Sequence, residues 1–410
     1  MIDIAGQIDG FRRGYQNAGL SVFTMVYFEN LLSGSKYDFV YNRLYPTWLL
    51  TDDRFRLFSK LYTAFIATPI YWSVLLISLF TCDIFHFMWF LRKENKFFLR
   101  LLKFLNKKII VSFVGSDIRW YPAWVQEFDD RGLSHRNVID YIKLMKLNNV
   151  SLAGQLRTVR IYEKFSDIIL SLPEQSQLLL RPYFNFYIPL DVKANQFKLA
   201  NNRVPKVCIG VTNPYGKNSP DVINMVKHYQ ERSGRKFEIV VLQNMAHQDV
   251  LESLSESDIF IYSPYVCGPG RFGLEAIACG ALCMCGYDED WYNIPPGLPI
   301  IHITESDFIS KIEYYIDNRE ERERLIMLGK DWIERYADPK WIVEDILKKL
   351  EMSDENYDYY PAYFRHTATF DSEGNPPDAI DICNKWTKYV KDCNWYKKYV
   401  PLGTRGGLIF

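Results

Sequence analysis

The residues best suited to chemistry lie in the segment Cys267-Gly268-Pro269-Gly270-Arg271-Phe272-Gly273-Leu274-Glu275, which follows an apolar run, Asp258 to Ser263, and opens onto a helix-like stretch ending near Cys279. Glycines at 268 and 270 let backbone amides approach a ligand closely, and the first turn of a helix offers unpaired N–H groups and a positive dipole to a diphosphate. Glu275, one turn in, can accept two hydrogen bonds from a ribose diol. The plain alternative is an ordinary turn with Glu275 on a solvated helix face, because glycine-rich turns between strand and helix occur in many proteins.

Three further groups invite a chemical reading. Asp117 stands between Gly115-Ser116 and Arg119, on a tight loop at the end of an apolar run, where open α/β sheets bind ligands. It could act as a base or orient an acceptor. His86 ends another apolar run and could position an acceptor hydroxyl, although a lone histidine there is more often hydrogen-bonded scaffold. Cys279, Cys283 and Cys285 suggest metal by type only; no histidine stands nearby and the last two alternate along a strand, so they read as small buried hydrophobes. Asp288-Glu289-Asp290 reads as a loop near the cleft rather than a metal site.

These residues need elements to place them. Apolar runs alternate with helical stretches, which is the signature of βαβ units and parallel sheets. Expected strands are 21–28, 37–42, 82–88, 108–114 and 167–172 in the first half, then 206–212, 237–243, 258–263 and 281–287. Helices are expected near 97–105, 221–232, 248–256 and 271–279, and through 305–350. The run Asn318 to Arg324 reads as a solvated helix face. Polar residues from Lys193 to Arg203 read as a linker. The division is therefore 1–190, a Rossmann-like acceptor domain; 204–350, a Rossmann-like donor domain; and 351–410, an acidic, tyrosine-rich extension of no assigned role.

Glu275-Ala276-Ile277-Ala278-Cys279-Gly280, with Gly270 as the turn glycine, resembles the donor-site motif of glycosyltransferase family 4. Asn244-Met245-Ala246-His247 before a helix resembles the loop beneath the nucleobase in that family. Thr212-Asn213-Pro214-Tyr215-Gly216-Lys217 resembles its phosphate-binding loop, with Lys217 in the place of the family lysine. Gly6-Gln7, Asp83 to His86, and Gly115-Ser116-Asp117-Ile118-Arg119 resemble its cleft-facing loops on the acceptor side. The resemblance implies a GT-B fold, two Rossmann-like domains around a central cleft. It implies sugar transfer from a nucleotide-diphosphate sugar to a glycan or lipid-linked acceptor, with retention and without metal or other cofactor. Two positions depart from the family: Cys267 replaces a glutamate and Thr212 an arginine, with Arg271 a candidate substitute cation. These departures favour the alternative of a catalytically silent GT-B subunit. A third reading on the same fold is a sugar-nucleotide epimerase or hydrolase.

Composition bounds the partners. The chain has 410 residues and zero formal net charge, but residues 1–190 hold 23 Lys+Arg against 16 Asp+Glu. A basic half calls for an anionic partner. No zinc-finger or RNA-binding signature is seen, so nucleic acid is not expected. The stretch from Arg92 to Lys108 has seven basic residues and one acid, and suggests peripheral contact with an anionic membrane, against the plainer reading of a crossover helix with a solvated basic side. The charge-free stretch Thr63 to Phe80 approaches the length of a span, yet with Pro69 inside it and an expected strand just after, it is expected to be a buried helix. Unpaired cysteine spacing and the absence of a leader-like start place the chain in the cytoplasm, with the inner face of a membrane as the alternative site.

Overall fold

The computed structural model describes residues 7–27, 35–46, 56–88, 96–115, 117–119, 124, 127–128, 130–134, 152–179, 181–191, 197–212, 217–289, 295–352 and 357–359. Two parallel sheets organise them. In the first, β3 (Ile84–Met88), β4 (Lys108–Ser112), β5 (Ile168–Ser171) and β6 (Phe184–Asn185) lie side by side in chain order. A small parallel pair, β1 (Met25–Val26) and β2 (Phe39–Val40), precedes them. The second sheet runs β11 (Ile301–His302), β10 (Leu282–Cys285), β9 (Ile259–Ser263), β7 (Lys206–Gly210), β8 (Glu238–Leu242). The chain is thus α/β, with two Rossmann-like parallel sheets as expected. Of the expected strands those at 21–28 and 37–42 shrink to two residues each, while β6 and β11 were not anticipated.

Around the first sheet lie α1 (Gln7–Asn17), α2 (Arg56–Tyr62), a π turn (Thr63–Ala67), α3 (Thr68–Thr81), α4 (Lys96–Phe104) and α5 (Leu152–Phe165). Around the second lie α6 (Ser219–Ser233), α7 (His247–Ser255), α8 (Gly270–Cys279), α9 (Phe308–Asp317) and α10 (Arg319–Tyr336). Strands buried on both faces read as unbroken apolar runs, and β9 is buried at every position. α8 stops where Gly280 turns left-handed, φ +98°, against the Lys198 carbonyl; a Cβ there would lie 2.3 Å from that oxygen.

The last helix among the described residues, α11 (Pro339–Glu351), follows the second domain in sequence but packs on the first. Asp338 caps it by accepting from the Trp341 amide at 2.8 Å. Its Ile342, Val343 and Ile346 join Ile8, Phe11 and Tyr15 of α1 in one core. Gly14 is the point of closest approach, 2.3 Å from its would-be Cβ to the Pro339 carbonyl. Tyr359 bridges to Tyr183 beside β6, so part of the expected extension also belongs to the first domain; residues 360–410 lie outside the described set.

Two expectations are corrected. The stretch Thr63 to Phe80 does form helix and does feed β3, but it is not buried: Phe65, Ile77 and Phe80 are all exposed. An apolar run carries no mark of what covers it, so periodicity could not decide this. The run Asn318 to Arg324 is not wholly solvated, because Arg322 is 3% exposed and ion-paired to Asp258 at 2.9 Å. The other Asp258 oxygen accepts from the Lys206 amide and the Asn202 side chain. Removing one partner of a buried, fully hydrogen-bonded pair strands the other. Asp258→Ala should cost about 3–5 kcal/mol in denaturant unfolding, whereas Arg319→Ala, which breaks an exposed pair with Glu323, should cost under about 1 kcal/mol. Equal losses would show that the buried pair is not what ties α10 to the sheet.

Candidate functional site

The second sheet has strand order 2-1-3-4-5 when its strands are counted along the chain, so the connections reverse direction between β7 and β9. Open parallel sheets bind ligands outside the carboxyl ends of the strands at such a point. The loop after β7 ends in Lys217, and the loop after β9 holds Gly268 and Gly270. Both glycines have positive φ, +93° and +53°, a conformation that costs other residues. The Gly268 amide donates to the Gly286 carbonyl at 2.8 Å, which fixes the turn that opens α8. Ser263, at the end of β9, accepts from the Tyr265 amide and donates to the Lys217 carbonyl at 2.8 Å. The two loops are therefore pinned together.

Lys217 donates to Thr212 Oγ1 at 2.5 Å and to the Tyr262 hydroxyl. Its Nζ also lies 3.9 Å from the Tyr262 ring centroid. Burial, and then the Arg119 charge from the first domain, lowers its ammonium to about 7. Thr212, where the resembling family has arginine, thus contributes an acceptor oxygen to the lysine.

Glu275 is buried on α8, and its Oε1 accepts from Arg271 Nε at 2.8 Å and from His247 Nε2 at 3.0 Å. Burial by itself raises the carboxyl; the His247 hydrogen bond and the charges of Arg271 and His247 outweigh it and hold the group below its ordinary value. The solvated-face alternative for Glu275 is excluded by this burial. Arg271 also reaches the Pro189 carbonyl of the first domain at 3.5 Å, so it works as a strut between domains as well as a cation. Cys267 is buried and its thiol is pushed well up by burial and then by Glu174.

On the opposite wall, Asp117 holds its own loop together. Its Oδ1 accepts from the Gly115 and Ile118 amides at 2.9 and 3.1 Å, with Val114 N 3.4 Å from Oδ2. Burial raises its carboxyl to about 6 in spite of these backbone bonds. Arg119 donates to Gln175 at 3.2 Å and lies 3.6 Å from Glu174. His86 is the middle residue of β3 rather than part of a loop. Tyr15 meets its Nδ1 at 3.0 Å and Ser112 its Nε2 at 2.7 Å. Burial lowers the imidazole to about 3, so it is a neutral scaffold group in this arrangement. Gly6, Ser116, Asn213 and Asp290 lie outside the described residues.

The carboxyl ends of both sheets face each other, since Arg119 acts on Lys217, Glu174 acts on Cys267, and Arg131 pairs with Asp288 at 2.6 Å. Two acids here had no sequence signal. Glu174 lies in a short turn after β5, and Glu127 accepts from Gln177 at 2.6 Å while burial pushes its carboxyl up to about 8. Neither sits in a motif; only the meeting of the two sheets gives them meaning. Among the described residues no cluster of three or more metal-ligating side chains is present.

No family model and no curated protein matches this chain. Solved structures similar to it include a putative UDP-N-acetylglucosamine 2-epimerase from Listeria monocytogenes, at 11% identity and TM-score 0.46, covering 87% of this chain and 96% of that one. Another is sucrose-phosphate synthase from Thermosynechococcus elongatus, at 11% and 0.41, covering 74% and 78%. A third is the catalytic domain of starch synthase IV from Arabidopsis thaliana, at 13% and 0.36, covering 68% and 76%. The likeness is distant, and the chemistry of the cleft is read from its own residues.

A lysine lowered to about 7 by burial and then by a neighbouring guanidinium should respond in part when that neighbour is removed. Arg119→Ala should move the Lys217 titration upward, toward the ordinary lysine value, in NMR of lysine-labelled protein. An unchanged midpoint would mean that the two walls of the cleft are farther apart in solution.

Proposed function

We propose that this chain is a glycosyltransferase that binds a nucleotide-diphosphate sugar at the β7–β9 switch point and transfers the sugar to a glycan or lipid-linked acceptor. The observation that carries the reading is the convergence at one point of Lys217, the Gly268–Gly270 turn at the start of α8, and the Glu275–His247 pair. Each suits one part of such a donor. The helix start and the lysine suit the diphosphate; Glu275, whose Oε2 takes no hydrogen bond among the described residues, suits a ribose hydroxyl.

In the proposed reaction the bond between the sugar C1 and the phosphate oxygen breaks, and its electron pair stays on the diphosphate. Lys217 and the α8 amides neutralise that charge without a divalent ion, as preorganised donors do in other enzymes. The acceptor oxygen bonds to C1 on the same face of the sugar that the phosphate leaves, and its proton passes to the departing phosphate, so the configuration at C1 is retained. Asp117 keeps the acceptor loop in shape. The proposed class is a hexosyltransferase-like enzyme of the family 4 type.

The second reading, a silent subunit that binds sugar nucleotide, is favoured by Cys267, a buried protonated thiol where the resembling family has a carboxylate. Hydrolysis assays with a panel of sugar nucleotides separate the two, because only an enzyme releases free sugar or product.

Glu275→Ala should weaken sugar-nucleotide binding by about 1–3 kcal/mol, the cost of lost charge-assisted hydrogen bonds; calorimetry finding unchanged affinity in a folded variant would remove the donor-site assignment. Lys217→Ala should depress turnover and nucleoside-diphosphate binding while sparing the free nucleoside. Since the free lysine titrates near 7 and an anion favours its charged form, diphosphate binding should weaken as pH rises from about 7 to about 9, with proton uptake on binding. Activity should survive EDTA. Loss with EDTA and recovery with Mg²⁺ or Mn²⁺ would instead direct attention to Asp288 and Glu289.

A further inference from the structure

The first domain carries an apolar face that the described residues leave largely exposed. From Leu57 to Thr81 the chain forms a continuous helical rod of 25 residues, α2, the π turn and α3 in succession, in which Lys60 is the single charged residue. At 1.5 Å per residue it is about 37 Å long. It touches its own domain at two places: Leu79 is buried and Trp72 and Leu75 pack against the core, with the Trp72 and Phe98 rings 6.4 Å apart, and Tyr62, Thr63 and Tyr71 meet the 27–45 segment. Only 17% of its most apolar stretch is buried.

The remaining surface is apolar and open. Phe80 is 84% exposed, Phe65 75% and Ile77 62%. The neighbouring helix α4 extends this face, since it buries Phe98, Leu99 and Leu102 but presents Phe97 and Phe104 at 69% and 84% exposure, with Arg100 between them. A helix that is apolar all round belongs in a core or in lipid. This one is not in the core, and a contiguous patch of this kind marks an interaction surface.

Charge identifies the partner. Among the described residues the exposed charges on α2, α3 and α4 are Lys60, Lys96 and Arg100, all basic, while the exposed Asp83 is paired with Lys107 at 2.9 Å. Tyr27, Tyr41, Tyr45, Tyr62 and Tyr71 form a chain of ring contacts beside the π turn, and tyrosines of this kind favour the boundary between water and lipid. We propose that this face seats the protein on an anionic bilayer, with the rod lying in the membrane plane. Phe65, Ile77 and Phe80 enter the acyl boundary, and Lys60, Lys96 and Arg100 meet the headgroups. The rod does not cross the bilayer, because Trp72, Leu75 and Leu79 hold it to the first core and only Cys82 and Asp83 separate it from β3. This attachment stands apart from the transferase reading, and either could fail alone.

The test is flotation of the full chain with phosphatidylcholine vesicles, with and without phosphatidylserine. Wild type should float with the anionic vesicles. The triple variant Phe65→Glu, Ile77→Glu, Phe80→Glu should bind at least roughly tenfold less, and Lys96→Glu with Arg100→Glu should remove only the salt-sensitive part. All three positions are exposed, so circular dichroism and nucleoside-diphosphate binding should match wild type and show the variant folded. Three outcomes overturn the proposal. In the first, wild type stays in the aqueous phase with both vesicles. In the second, it resists alkaline carbonate, which indicates a spanning helix. In the third, the triple variant converts a wild-type dimer to monomer without changing vesicle binding, which indicates a second copy on this face.

Discussion

The cleft is organised around two like charges brought together. Lys217 comes from the loop after β7, Arg119 from the loop after β4, and Arg119 is one of the two causes that lower the Lys217 ammonium to about 7. Like charges with reduced access to water repel, so holding them together is costly and an anion that enters the cleft recovers that cost. The Tyr262 ring and Thr212 Oγ1 hold the ammonium in position meanwhile. This pair of cations is the electrostatic ground on which the proposed diphosphate site rests.

Such an arrangement requires two separate sheets to stay in register. The α1–α11 contact provides this. Its centre is apolar, Gly14 allows the two helices to approach at backbone distance, and Asp338 caps α11 where it leaves the second domain. The Leu190 amide donates to the Ala337 carbonyl at 2.9 Å beside it, and Arg13 pairs with Asp191. The chain passes between the two sheets twice at this place, and the Arg131–Asp288 pair, part-exposed, links them again at 2.6 Å.

Much of this was legible in the sequence for a physical reason. Strands buried on both faces write unbroken apolar runs, and glycines at positive φ write themselves at 268, 270 and 280, so β7 to β10 of the second sheet and the turn that opens α8 could be read from the sequence, while the two-residue β11 could not. Position in the third dimension could not. His86 looks the same in sequence whether it faces a cleft or, as here, sits between Tyr15 and Ser112. Arg322 lies in a run of charges and only its meeting with Asp258 shows that it is buried. The 57–81 rod has the same composition as a core helix, and only the domain's failure to cover it separates the two. Glu127 and Glu174 carry no pattern, because their neighbours come from distant turns.

Cys267 shows how the two domains share one electrostatic balance. Read along the chain, it marks a lost carboxylate. In the folded cleft the thiol lies within reach of Glu174 from the first domain and Asp288 from its own, with Arg131 the nearby cation. A glutamate at 267 would add a third carboxylate beside Glu174 and Asp288 in a buried site, and like charges in such a site cannot all ionise cheaply. The neutral thiol avoids that repulsion and leaves Glu174, held 3.6 Å from Arg119, as a carboxylate that the first domain brings to the same space. Which domain supplies the acid is therefore a property of the assembled cleft, and a motif confined to one strand, turn and helix records only half of it.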